Sequence, residues 1–122
     1  MSDLVSKVHS FEREKCGIIL TTGELIELTN IHPKPTNNFA MSNEELEAYP
    51  LDDILAFWHS HREYDSNLSS PDYLSFLRYP KHLHIIFCYT HFTLYNVRNN
   101  LVIRLAHESN AEFSSRFKEF IS

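Results

Sequence analysis

Glycine is scarce in this chain, with two residues in 122, and cysteine is no more abundant. So few glycines, beside five prolines, exclude a linker-rich or low-complexity polypeptide. The two cysteines, Cys16 and Cys88, do not make the disulfide framework of a small secreted domain. Their settings, "KCGIIL" and "IIFCYT", are those of small buried hydrophobes. Positive charge is also in deficit: 11 Lys and Arg against 16 Asp and Glu give a net charge of −5. That balance lacks the basic footprint of a nucleic-acid binder. No apolar run approaches the roughly 18 residues of a membrane span. The polar start "MSDLVSK" does not read as a signal peptide. The expectation is a protein that works in the cytoplasm with neither nucleic acid nor membrane as partner.

The remaining composition, 43% hydrophobic and 22% charged, is that of an ordinary soluble globular chain. A length of 122 residues suits one domain spanning 1–122. Leu4, Val8 and Phe11 recur at helical spacing, so residues 3–13 read as an amphipathic opening helix. "GIIL" (17–20) and "ELIELTNI" (24–31) are β-prone runs separated by "TTG", a hairpin signal. Two prolines and two asparagines make "HPKPTNNFAMS" a loop. Ser42, three residues before Glu45, marks a capping box for a short helix.

"DILAFWHSH" (53–61) is apolar on both faces, as a central strand covered on both sides would be. "SPDYLSFLRY" (70–79) reads as a helix, and 83–89, 92–97 and 101–106 read as three further strands. Phe113, Phe117, Phe120 and Ile121 are spaced for a closing helix. The fold class expected is α/β, a mixed sheet flanked by helices on both faces.

The chemistry-bearing stretch is "AFWHSHREYDSNLSSPDYL", residues 56–74. Side chains at i and i+2 of a strand share a face, so His59 and His61 project side by side. That arrangement suits two imidazoles on one metal ion, or one buried histidine beside one at a strand end. Pro71 implies Ser70 as N-cap with Asp72 in the first helical turn, where a carboxylate is at ease with the helix dipole. The spacing of Ser69 and Asp72 equally fits a capping box. Two neutral imidazoles and a carboxylate also form a three-ligand zinc set with a fourth position open to water. Such a site activates water and polarises a carbonyl. Glu14 is a candidate base for that water, or else a surface carboxylate at a helix end. Ser69, if Ser70 caps the helix, is free to donate to an oxyanion.

"HSH", seven residues, then "SSPD" resembles the His-Ser-His-x7-Ser-x2-Asp signature of the JAMM (MPN-positive) metalloproteases, a fold related to the cytidine deaminases. The upstream "EKCGIIL" is similar to the segment that supplies that family's glutamate. The resemblance covers roughly residues 3–97. It implies zinc held by His59, His61 and Asp72. It also implies that Glu14 moves a proton from the attacking water to the leaving amine and that Ser69 steadies the oxyanion. Ser60 would point away from the metal. The implied activity is hydrolysis of a peptide or isopeptide bond.

"NIHPKPTNNFAMSNEEL" (30–46) looks like a loop of the short JAMM domains in bacteriophage tail assembly proteins, which would place the work in the host cytoplasm. The partners then implied are a protein or peptide substrate, phage tail proteins or a ubiquitin-like protein. Arg62 stands where that family commonly has proline, so the following loop and substrate preference depart from it. The alternative is a non-catalytic MPN-like scaffold that binds partner proteins. A zinc deaminase would need His-x-Glu followed by Pro-Cys-x-x-Cys, and neither is present.

Overall fold

The computed structural model describes residues 3–36 and 38–120. The chain runs α1 (Asp3–Val8), β1 (Cys16–Leu20), β2 (Leu25–Leu28), α2 (Asn43–Leu46), β3 (Ile54–Ser60) and α3 (Ser70–Leu77). It continues through β4 (Leu83–Phe87), β5 (His91–Arg98), β6 (Leu101–Ser109) and α4 (Phe113–Phe117). The strands form one six-stranded sheet in the order β2-β1-β3-β4-β5-β6. All pairs are antiparallel except β3 and β4, which are parallel and joined through α3. The fold is therefore α/β with a mixed sheet.

The two faces of β3 explain its continuous apolar sequence. Ala56 and Trp58 pack with Ile19, Ile85, Phe87 and Leu94 beneath α1 and α4, which contribute Val8, Phe113 and Phe117. Phe57 packs on the opposite face with Ile18, Leu28 and Ile54, against Leu46 of α2. Phe76 of α3 covers Ile86 and Tyr95 on that same side. Helices thus flank both faces, and β3 lies inside the sheet as its pattern requires.

Local chemistry sets the ends. The β1–β2 turn places Gly23 at φ 94°, where a side chain is strained. The β5–β6 turn uses Asn99 and Asn100 at φ 54° and 61°, the left-handed pair of a tight hairpin. Helix α1 stops at Val8, five residues short of the expected end. Ser10 Oγ instead accepts from the Glu12 amide at 3.0 Å, a local bond that competes with helix continuation. Only half of the expected Ser42–Glu45 box forms. Ser42 accepts from the Glu45 amide at 3.3 Å, whereas the Glu45 carboxylate accepts from Thr29 N at 3.0 Å.

The closing helix is an α-turn between two 3-10 turns, with Phe113 and Phe117 buried as expected. Ile121 lies outside the described residues. Cys16 and Cys88 are both buried free thiols, and burial pushes Cys16 up to about 12. Among the described residues no helix is long and apolar enough to cross a membrane.

Candidate metal centre

Strand register builds the site. Cys16 pairs with His59 and Gly17 with Trp58. Lys15 continues this ladder, its carbonyl accepting from Ser60 N at 2.9 Å and its amide donating to Ser60 Oγ at 3.0 Å. Opposite residues of an antiparallel pair share a face, so the next position along brings Glu14 beside His61. Ser60 points the other way and is spent on the framework, as expected. Ligand atoms of Glu14, His59 and His61 all lie within 4.8 Å of one another. A separation of 45 residues in sequence between Glu14 and His59 is closed by one ladder.

Asp72 comes from the crossover. His61 N donates to Phe87 O at 2.8 Å, so the chain leaves the sheet at the carboxyl ends of the two parallel strands, where α/β folds place their sites. Helix α3 then starts at Ser70. Its N-cap is Ser69, not Ser70: Ser69 is extended, its hydroxyl accepts from Asp72 N, and Asp72 accepts from Ser69 N at 3.2 Å. Pro71 falls at the second helical position, where a missing N–H costs nothing. The carboxylate that closes this box is what decides the cap, because only Ser69 stands three residues before it. The cap uses the hydroxyl of Ser69 as acceptor, so its proton remains available, and Ser69 lines the cleft. Ser69→Ala is expected to lower stability by about 1 kcal/mol. Urea denaturation should show the midpoint shift with unchanged slope.

Asp72 reaches both imidazoles: Oδ1 is 3.0 Å from His59 Nε2 and Oδ2 is 3.1 Å from His61 Nε2. The His61 contact has hydrogen-bond geometry. The His59 contact has the distance but not the alignment, and buried His59 Nε2 has no hydrogen-bond partner. A buried nitrogen without a partner is costly, and a cation would relieve it. Atoms bound to one tetrahedral zinc at about 2.1 Å lie about 3.4 Å apart. The two Asp72 separations are near that value, and Glu14, His59 and His61 lie within 4.8 Å of one another, so these donors could hold a metal ion. His61 Nδ1 is 3.0 Å from the Asp65 carbonyl. Donation there fixes the tautomer that leaves Nε2 to face the centre.

Charge follows burial and contact. Burial opposes ionisation of Asp72, but the His59 and His61 contacts hold it well below the usual carboxylate range. Burial pushes Glu14 up to about 7, with nearby Asp72 adding to the rise and His61 opposing it. Burial likewise lowers His59, keeping its imidazole neutral. Burial would lower His61 too, but its bond to Asp72 raises it. A neutral His59 imidazole and a firm Asp72 carboxylate suit ligation, and a Glu14 carboxyl poised near neutrality suits proton transfer.

All five expected residues are therefore in one place: His59, His61, Asp72, Glu14 and Ser69 line a single cleft of about 750 Å³. The cleft runs from the centre between the 31–43 loop and α3, over Met41, Leu46, Phe57 and Tyr79. Phe39 stacks on His59 at 4.2 Å between centroids and 19° between planes. Spacing gave no sign of that contact. Arg62 lines the same cleft and its Nε donates to the Thr36 carbonyl, joining the two loops. Tyr64 instead joins Phe11 and Tyr89 in an exposed aromatic group.

No protein-family model matches the chain, and no curated protein matches it significantly. The fold does recur among solved structures. The solution structure of protein DSY2949 from Desulfitobacterium hafniense superposes with a TM-score of 0.63, at 17% identity over 84% of this chain and 83% of that one. That likeness concerns the fold alone.

Proposed function

We propose that this chain is a JAMM-type zinc metallopeptidase that hydrolyses a peptide or isopeptide bond. The observation that carries the reading is the convergence of His59, His61, Asp72 and Glu14 at one end of a cleft, with the Asp72 carboxylate against buried His59 Nε2. His59, His61 and Asp72 would hold zinc. Zinc supplies Lewis acidity, polarising a carbonyl and making water a better acid.

The protein's own groups do the rest. Glu14, raised to about 7 by burial, takes a proton from the attacking water and returns it to the departing amine. Ser69 keeps its hydroxyl proton for the tetrahedral oxygen. The cleft floor of Met41, Leu46 and Phe57 offers apolar surface to an extended chain. This shape supports a protein or peptide substrate, with a ubiquitin-like protein or a phage tail component the classes that the sequence resemblance adds. Free buried Cys16 and Cys88 accord with work in the cytoplasm.

One observation favours the scaffold alternative. Asp72 already completes the α3 capping box, a sufficient structural role without metal. The two readings part on turnover. Pools of internally quenched peptides and an ε-lysyl isopeptide, incubated with the protein, should be cut in a reaction that chelation stops and added zinc restores. No cleavage by zinc-supplemented protein would leave the scaffold.

A further inference from the structure

We infer that Asn30 is a positioning residue for this reaction: its side-chain amide fixes the backbone of Glu14 and the loop that carries Phe39, holding base and ring over the two histidines. The inference rests on the function proposed above.

The amide of Asn30 has two donors and two main acceptor directions, and every one is engaged by backbone. Its Nδ2 donates to the Glu14 carbonyl at 2.8 Å and to the Asn38 carbonyl at 3.0 Å. Its Oδ1 accepts from His32 N and Ala40 N, both at 3.1 Å. One side chain thus ties the stretch before β1 to both arms of the 30–41 loop. The loop returns the tie, for Glu14 N donates to Pro35 O at 2.8 Å. An isolated bridge between Asn30 and Met41 closes the neck of the loop. Glu14 is therefore pinned on both sides of its Cα by groups that Asn30 organises.

The geometry matters because Glu14 precedes β1, which starts at Cys16. Its amide and carbonyl belong to the loop contacts, not to the β1–β3 ladder. The ladder carries the chain to Lys15, beside Ser60, and these loop contacts hold Glu14's own peptide groups beyond that point. Phe39 sits between Asn38 and Ala40, both held by Asn30, and it stacks on His59. Base and ring are placed by one amide.

Asn30→Asp tests this with little change of shape. The carboxylate retains acceptors for His32 N and Ala40 N but offers no donors to the carbonyls of Glu14 and Asn38. Expected are one zinc per chain, as in the parent, and a kcat for the quenched-peptide pool reduced about 10–100-fold, the usual scale for outer-shell partners. KM should stay within about twofold, because the cleft floor is untouched. A second readout needs no turnover: amide hydrogen exchange at Glu14 should quicken at least about tenfold while Ile18 and Phe57 keep parental protection. Asn30→Gln, which restores donors on a longer arm, should recover part of both.

A parent that hydrolyses, with Asn30→Asp matching its kcat or its Glu14 exchange, would overturn this inference and leave the proposed function standing. Loss of zinc in Asn30→Asp would likewise overturn it, by showing a role in metal retention. A zinc-loaded parent that cuts nothing would overturn both.

Discussion

Glu14→Gln is expected to keep one zinc per chain while hydrolysis falls by about 10²–10⁴, the range attributed to general acid–base catalysis. The amide is nearly isosteric with the carboxyl, so the backbone bonds at Glu14 N to Pro35 and Glu14 O to Asn30 are unaffected. What is lost is the ability to hold a proton. Burial places Glu14 at about 7, so near neutral pH both its protonated and ionised forms are populated, as a group that accepts and returns a proton requires. Glu14, His59 and His61 nevertheless sit within 4.8 Å of one another, a separation that also suits direct ligation by Glu14. Metal analysis of the variant separates the roles. Retained zinc with lost turnover assigns the proton-transfer role. Lost zinc makes Glu14 a ligand, and Asp72 then keeps only its contacts to the histidines and its cap.

Gly17→Ala is expected to destabilise the fold by about 3 kcal/mol, at the upper end for overpacking. A Cβ on Gly17 would lie 2.0 Å from the Ile26 carbonyl oxygen and 2.7 Å from the Trp58 ring. The carbonyl belongs to the β1–β2 ladder, and no rotamer change moves it. Trp58 is equally confined, buried against Phe87 and donating its indole N–H to Ile18 O at 3.3 Å. Relief must come from separating β1 from a neighbour, and β1–β3 pairing is what sets Glu14 against His61. Chemical denaturation of the variant measures the effect. A change below about 0.5 kcal/mol would show that β1 shifts without cost.

Much of this centre was legible because it depends on short-range periodicity. The two-residue repeat of a strand puts His59 and His61 on one face, and helix-start chemistry puts Asp72 in a first turn. Pro71, favoured near a helix start, points to Ser70 as N-cap, whereas the Ser69–Asp72 spacing points to the capping box that forms, because the carboxylate partner fixes the cap at Ser69. Phe11 keeps helical phase after Ser10 has broken the opening helix, so the apolar pattern runs past its end at Val8. Asn30 could not be found this way. Its four bonds run to the Glu14 and Asn38 carbonyls and to the His32 and Ala40 amides. Backbone partners leave no residue-type signature, and the stack of Phe39 on His59 depends on that same loop closure.

The zinc centre is tested most directly by the metal content of full-length protein purified without chelator, read by mass spectrometry of the metal. One zinc per chain is predicted for the parent, and close to none for His59→Ala, which removes a buried imidazole that faces Asp72. Parental zinc near zero that added zinc does not restore, or full occupancy in His59→Ala, would contradict a zinc centre at these residues.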